Sequence, residues 1–279
     1  MNTNEIDEQR TNPVVKGNDL IQKTTFNLTA TEQKFIAYVI SLIKATDKEL
    51  QFYNIRVRDF AELTGINTKN AYQEFKDMAV SLDSKSAWIT IDDDKKVSFM
   101  FRWFSEAKYC EKEGYIKVLL NSEIKKYLLD LINKGNYTQY ELYNILGLKS
   151  KYSIRLYEVL RSYAYRGSAE YDVDRLKEIL AAETYKSFSH FKDRVIDKAL
   201  SEINGHTDLN VTFITVDTKG NEVTSSQGKK VSAVRFHIEK KDIKDKFYVY
   251  QKTVESINNR NKQIKGQLQF DESGNIYEA

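Results

Sequence analysis

Residues 55–80 read IRVRDFAELTGINTKNAYQEFKDMAV, and residues 171–196 read YDVDRLKEILAAETYKSFSHFKDRVI. Aligned without a gap at a spacing of 116 residues, Val57 falls on Val173 and Glu62 on Glu178. The tripeptide Phe-Lys-Asp at 75–77 falls on the same tripeptide at 191–193, and most apolar positions match as well. A repeat of this kind indicates one supersecondary unit used twice in the chain.

The residues around the first copy predict a helix, a short strand, two helices and a set of strands. Thr29 and Glu32 have the spacing of a capping box, and apolar residues then recur at helical period, which predicts a helix from residue 29. A strand is predicted over 52–57 and a short helix over 59–63 that stops at Gly65. The next helix begins at Asn67 or Thr68. Its predicted inward face comprises Tyr72, Phe75, Met78, Ala79 and Leu82. Strands are predicted over 87–91, 97–104 and 115–120.

The residues of the second half repeat this order. Helices are predicted over 152–163, 174–180 and 187–203, followed by strands over 209–216 and 231–238 around a polar tip at 217–230. Residues 122–150 link the halves through helical segments. We therefore expect an N-terminal domain at 14–121 and a C-terminal domain at 151–240, with a mobile leader at 1–13. The tail at 241–279 is polar and charged, with a helix to about residue 264.

Three helices followed by a β-hairpin are the arrangement of a winged helix, in which the last helix enters the major groove and the hairpin contacts the DNA backbone. The expected fold class is therefore α+β, with two tandem winged-helix domains related by internal pseudo-symmetry. Winged-helix units also serve as protein-interaction modules, and the spacing of the residues leaves both uses open.

The outward faces of the two predicted recognition helices carry the candidate DNA contacts. Such a helix needs donors for base edges and phosphates opposite its apolar face. We expect Arg194 to make a bidentate contact with guanine, whereas Asn70 and Gln73 suit adenine. The N-terminal ends of the helices favour phosphate, and lysines at the tip of the second hairpin should reach phosphates as well. The candidate DNA-binding residues are Thr68, Lys69, Asn70, Gln73, Lys76, Lys186, Ser187, Ser189, His190, Lys192, Arg194, Lys219, Lys229 and Lys230.

The composition limits the class of protein. The formal net charge is only +3, so any affinity for nucleic acid has to come from local basic patches. Cys110 is the single cysteine, which excludes an internal disulfide and fits a reducing cytoplasm. No apolar run approaches the roughly 18 residues that cross a bilayer, so we expect a cytoplasmic protein without membrane contact.

Metal chemistry and catalysis are not expected. His190, His206 and His237 are dispersed without ligand spacing, and the acidic run at 92–94 is more typical of a solvated hairpin tip than of a metal site. Cys110 has no partner for catalysis, and no Gly-Lys-Ser/Thr phosphate loop is present, so the chain should not hydrolyse ATP. The chain is therefore predicted not to be an enzyme and to need no cofactor.

Five motifs together resemble one known family. They are VVKGNDLIQKTTFNLTATEQKFIAYVISLI from residue 14, DFAELTGINTKNAYQEFKDMAVSL from residue 59, RWFSEAKYCEKEGYIKVLLN from residue 102, YSIRLYEVLRSYAYRG from residue 152 and FSHFKDRVIDKALSEINGHTDLNVTF from residue 188. In this order they closely resemble the initiator replication proteins of iteron-carrying, theta-replicating plasmids. The similarity runs from residue 14 to residue 238 and does not extend into the tail after Lys240.

The resemblance implies two winged-helix domains that together bind one iteron repeat in the double-stranded DNA of a plasmid origin. It further implies melting of an adjacent A·T-rich region and recruitment of host replication proteins (a helicase or its loader, and the host initiator). Monomers would activate the origin, whereas dimers formed through the N-terminal domain would repress the initiator's own promoter. The recognition helices would lie at 68–82 and 187–203, with the second dominating. A DNA-binding transcriptional repressor without a replicative role is the alternative, because it needs the same DNA-reading parts.

Overall fold

The computed structural model describes residues 3–66, 71–92, 97–223, 230–266, 268–270 and 276–278 of the chain. Its α-helices are α1 (Thr3–Arg10), α2 (Asn18–Gln22), α3 (Ala30–Ser41), α4 (Val57–Thr64), α5 (Ala71–Ser84), α6 (Leu131–Lys134), α7 (Tyr143–Leu146), α8 (Lys151–Tyr163), α9 (Val173–Ile179), α10 (Phe188–Phe191), α11 (Asp197–His206) and α12 (Ile243–Gly266). Its strands are β1 (Pro13–Gly17), β2 (Thr24–Thr25), β3 (Phe52–Arg56), β4 (Ser86–Asp92), β5 (Val97–Arg102), β6 (Phe104–Cys110), β7 (Tyr115–Leu120), β8 (Tyr137–Glu141), β9 (Ser168–Asp172), β10 (Leu209–Val216), β11 (Ala233–Lys240), β12 (Leu268–Phe270) and β13 (Ile276–Glu278). Short 3-10 turns cover Glu111–Glu113 and Ser122–Tyr127, and a π turn covers Lys192–Ile196.

The N-terminal half packs α3, α4 and α5 against one sheet. The predicted capping box begins α3, since the Thr29 hydroxyl accepts from the amide of Glu32 while the Glu32 carboxylate accepts from the amide of Thr29. Phe35, Phe60 and Phe75, one from each helix, meet edge to face with ring centroids 5.0–5.5 Å apart. Burying three aromatic rings in this geometry fixes the three helices relative to one another.

The sheets of the two halves have the same strand order. In the first half β3 pairs with β7, which pairs with β6, and in the second half β9 pairs with β11, which pairs with β10. In each half the short strand before the helix pair is therefore hydrogen-bonded to the second strand of a hairpin. The hairpins β6–β7 and β10–β11 are the wings, and the chain folds as two α+β winged-helix domains, as predicted.

The turn between the two helices of each repeat also has the same backbone geometry. Gly65 ends α4 with a φ of 72°, and Ala181, 116 residues later, has a φ of 50°. The amide after each of them donates to the carbonyl five residues earlier, at 3.1 Å in the first copy and 2.8 Å in the second. Pseudo-symmetry of the whole domains stays a prediction, but these local features recur at the spacing of the sequence repeat.

The ungapped alignment of the two copies is wrong beyond the shared Phe-Lys-Asp. Val80 is 66% exposed, whereas Ile196, its partner at a spacing of 116, is 0% exposed. The π turn over Lys192–Ile196 inserts one extra residue into the second helix, so that burial resumes one position later. Met78 in the first copy is buried, whereas the extra residue leaves Arg194, at the corresponding position of the second copy, exposed.

The strands that follow α5 differ from the prediction. The predicted strand over 97–104 is two strands, because β5 ends at Arg102 and β6 begins at Phe104. Strands β2, β4 and β5 form a separate sheet, so the hairpin β4–β5 is additional to the winged helix and is not its wing. The prediction that Tyr72 faces inward is also wrong, since its ring is half exposed and lies over Gly114.

The segments expected to be peripheral are packed. The predicted leader contains α1, where Ile6 and Arg10 are buried and Arg10 donates to the carbonyl of Glu62 at 3.1 Å. The predicted linker contains β8, which pairs with β1. Helix α12 in the tail buries Thr253 and Ile257 and contacts α4, α7 and α11. These regions extend the packing beyond the two units that local patterns indicate.

Candidate nucleic-acid interface

Each domain presents one helix whose outer face carries the predicted contacts. We call α5 the first recognition helix, and we call the continuous helix formed by α10, the π turn and α11 the second recognition helix. Phe75, Met78 and Leu82 anchor the first, and Phe191 and Val195 begin the anchoring face of the second. Both helices therefore expose one polar face next to the wing of their own domain.

The first recognition helix places two of its predicted contacts on the surface. Gln73 and Lys76 are both exposed. The Gln73 side-chain amide donates to the carboxylate of Asp77 at 2.8 Å, one turn further along the same helix. Lys76 has no side-chain partner among the described residues, so its ammonium group is free to meet a phosphate. The predicted contacts Thr68, Lys69 and Asn70 lie outside the described residues.

The second recognition helix exposes a denser set of donors. Lys186, Ser187, Ser189, His190 and Arg194 all lie on the surface. Within the part of the chain that the structure describes, the Arg194 guanidinium makes no hydrogen bond or ion pair. An exposed guanidinium without an intramolecular partner keeps all of its donors for a ligand, and its planar fork matches the two acceptors of guanine.

Lys192 is held within the helix, unlike its neighbours. Its ammonium lies 2.7 Å from a carboxylate oxygen of Asp197 and 3.7 Å from one of Asp193. The hydrogen bond to Asp197 raises the pKa of Lys192 above its ordinary value. A contact with DNA would require this pair to separate, so we expect Lys192 to contribute less than Arg194.

A groove of about 650 Å³ lies between the start of the second recognition helix and the base of the second wing. Lys186 and Ser187 line it from the residues just before the helix, Ser189 lines it from the first turn, and Lys230 lines it from the wing. Four of the predicted contacts are thus brought to one concave surface, although Lys230 is distant in sequence from the other three. Those three are exposed and offer one ammonium and two hydroxyl donors. Lys219 is exposed on the 217–221 turn of the same wing, and Lys229 lies outside the described residues.

Sequence reasoning missed the first wing and one residue of the groove. Lys112 lies in the turn between β6 and β7, and Lys108 and Lys117 stand opposite each other on these two strands. Between Phe104 and Cys110 no alternation of buried and exposed residues marks the strand. Lys177 lines the groove, with its ammonium 5.6 Å from the centroid of the Phe191 ring.

Neither a metal site nor a membrane-spanning helix occurs in the part of the chain that the structure describes. No group of three or more His, Cys, Asp or Glu side chains there could hold a metal ion. No helix in the same part of the chain is long and apolar enough to cross a membrane.

The fold and the two exposed helices define a protein with tandem winged-helix domains, and the comparisons with known proteins identify the family. Residues 13–161 match the family described as initiator replication protein, WH1, and residues 172–238 match initiator Rep protein, WH2. The chain therefore belongs to the initiator replication proteins.

Individual relatives agree with this assignment. The PI protein of Escherichia coli is 29% identical over 217 residues, which cover 66% of this chain and 68% of the relative. A replication initiation protein of Escherichia coli is 23% identical over 217 residues, covering 74% of this chain and 66% of the relative. The crystal structure of the Pi initiator protein in complex with iteron DNA superimposes with a TM-score of 0.63 at 23% identity, covering 84% of this chain and 99% of that chain. This superposition supports the same fold.

Proposed function

We propose that this chain initiates plasmid replication by binding directly repeated origin sequences, or iterons, through its two recognition helices. The observation that carries the proposal is Arg194, which is exposed and has no partner among the described residues, on a helix whose start lines a groove together with Lys230 of the wing. Helix donors for bases beside wing donors for phosphates are what a winged helix requires for sequence-specific binding. The Pi initiator protein, which has this fold, is described in complex with iteron DNA.

The two domains would read one continuous site. Recognition helices on one face of a duplex meet successive major grooves about 34–36 Å apart, so the site should span roughly two helical turns. The outward residues of the two helices differ, with Gln73 and Lys76 on one and His190 and Arg194 on the other. We therefore expect an asymmetric site that recurs as direct repeats.

Origin opening and host recruitment complete the proposed role. We propose that binding free energy, without enzymatic chemistry, drives melting of an adjacent A·T-rich region, and that host replication proteins (a helicase or its loader, and the host initiator) then join. Plasmid DNA would make the cytoplasm the place of action. Membership of the initiator replication protein family supports this sequence of events.

We also propose a dimer formed through the N-terminal domain, which would repress the initiator's own promoter. Strand β5 is at the edge of its sheet, and Trp88 and Met100 stand opposite each other on β4 and β5 with 50% and 55% of their surfaces exposed. Exposed apolar side chains beside a sheet edge are typical of a protein contact. Trp88→Arg should therefore lower the dimer fraction in sedimentation velocity, and an unchanged fraction would exclude this surface.

A footprint on the DNA upstream of the gene tests the main proposal. Protection of directly repeated elements of about 20 bp, two helical turns, is the expected result. Permanganate reactivity of thymines beside the repeats on supercoiled DNA would show the melting step. The alternative, a transcriptional repressor without a replicative role, would be supported if the gene failed to sustain a plasmid that lacks its own initiator.

A further inference from the structure

A single buried side chain, Arg155 of α8, connects the two halves of the protein. One terminal nitrogen of its guanidinium donates to the carbonyl of Ile21 at 2.7 Å and to that of Thr24 at 2.5 Å, both in the N-terminal half. Its Nε donates to the carbonyl of Ile179, in the C-terminal half, at 3.3 Å. The guanidinium also lies 4.7 Å from the centroid of the Phe26 ring. Three backbone carbonyls from the two halves therefore accept from one planar group.

Through Ile179, Arg155 is connected to the helix pair that contains the second recognition helix. Ile179 is the last residue of α9, directly before the turn that leads into the second recognition helix. Arg155 is 3% exposed, and burial lowers its pKa to about 10, so that the charge is kept at neutral pH. A rigid guanidinium donates in fixed directions, so its acceptors are held at fixed relative positions.

Apolar packing reinforces the same junction. Ile21, Val159 and Ile179 form a small buried cluster of their own, with one residue each from the N-terminal half, α8 and α9. Beside it, the Gln22 side-chain amide donates to the hydroxyl of Ser162 at 3.0 Å. The junction is therefore close-packed as well as hydrogen-bonded, and close-packed interfaces resist gradual deformation.

We propose that Arg155 is a positioning residue that fixes the distance and rotation between the two recognition helices, so that the protein selects DNA by the spacing of its two half-sites. This inference rests on the proposed function. One extra base pair between the half-sites moves them apart by about 3.4 Å and rotates them by about 34–36°. A rigid junction cannot follow this change, so only one helix remains engaged and the gain from binding two linked half-sites is lost.

The test compares Arg155→Lys with a control substitution in the same helix. Lysine keeps the charge but lacks the planar fork that reaches three carbonyls. Tyr157→Phe is the control, because Tyr157 donates to Asp208 at 2.9 Å and this buried hydrogen bond does not involve the N-terminal half. Each protein is titrated against the repeat, the repeat with one inserted base pair, and each isolated half-site.

The wild type and Tyr157→Phe should lose at least about tenfold in affinity on the inserted site, and Arg155→Lys less than about threefold. Affinity for isolated half-sites should be equal in all three, which a general loss of folded protein would not produce. A folded Arg155→Lys protein with the wild-type spacing penalty would overturn the inference. If Arg155→Lys does not fold, Gln22→Ala removes a milder contact across the same boundary and takes its place, with the same outcomes.

A measurement without DNA separates this inference from the proposed function. Spin labels at Val80→Cys and Lys198→Cys, both exposed on the two recognition helices, report their separation in a Cys110→Ser background. The distance distribution should be narrow with Arg155 and broad in Arg155→Lys, and equal widths would contradict the positioning role. Failure of the wild type to prefer the repeat over random DNA would refute the proposed function, while the distance distributions would still decide the role of Arg155.

Discussion

Substitution of Arg194 by alanine tests the proposed DNA contact most directly. Arg194 is exposed and has no partner among the described residues, so its removal should change the free energy of unfolding by no more than about 0.5 kcal/mol. A bidentate contact with guanine contributes about 1–3 kcal/mol of discrimination, which corresponds to a loss of about five- to about 150-fold in affinity for the repeat. The structure thus predicts a large effect on binding with almost none on stability.

Lys192→Ala is the matched control, two residues away on the same helix. Because the ammonium of Lys192 is held 2.7 Å from Asp197, we expect it to contact DNA weakly and its removal to cost less than about threefold in affinity. Fluorescence anisotropy with the repeat and with a random duplex, at two salt concentrations, measures both variants. An equal loss on both duplexes would show that Arg194 contacts only phosphate. A larger loss for Lys192→Ala than for Arg194→Ala would refute the reasoning from the ion pair.

Three further predictions concern the charged core, the repeated turn and the first recognition helix. Burial alone raises the pKa of Glu158, but its ion pair with Lys16 at 2.5 Å and a hydrogen bond from a tyrosine hydroxyl outweigh burial and hold that pKa below its ordinary value. The pair therefore stabilises the fold above the unfolded-state pKa and loses its effect as pH falls through the folded-state pKa. Lys16→Met should accordingly cost about 3–5 kcal/mol in urea unfolding at neutral pH and progressively less as the pH falls below about 4. A cost that does not change with pH would contradict this. Gly65→Ala should destabilise the protein by about 1–2 kcal/mol, because the φ of Gly65 is 72°, whereas Ala181→Gly, at a φ of 50°, should be neutral or stabilise it by up to about 1 kcal/mol. Thermal unfolding measures both variants, and destabilisation by both substitutions would exclude the same left-handed geometry at the two positions. Lys76→Ala should lower the slope of log affinity against log salt by about one unit, and an unchanged slope would remove Lys76 from the interface.

The parts of the fold that local patterns predict are those whose signals lie within one helix or one turn. The capping box at Thr29 and the end of the short helix at Gly65 were both predicted from residues only a few positions apart, and both are present. The pairing of β1 with β8 joins Val14 to Tyr140, and no local pattern indicates a partner so distant in sequence. The same limit applies to Arg155, whose acceptors come from segments on both sides of α8.

The first wing escaped prediction for a different physical reason. Most side chains of β6 between Phe104 and Cys110 are exposed, so the strand lacks the alternation of apolar and polar residues that marks a half-buried strand. The edge position of β6 explains this exposure, because only β7 pairs with it among the described strands. The matching strand orders of the two sheets therefore identify the first wing, and the sequence of β6 does not.

The π turn explains how one repeated motif produces two different reading surfaces. In a π turn the residue five positions ahead lies one turn away, and the amide of Asp197 indeed donates to the carbonyl of Lys192. The side chains of the same two residues form the 2.7 Å ion pair across that turn. In the first recognition helix the residue five positions after Lys76 is Ser81, which offers no carboxylate, and the helix stays regular. Among the described residues, the shared lysine is therefore without a partner in the first helix and paired in the second. The extra residue also turns Arg194 outward at a position where the first helix buries an apolar side chain.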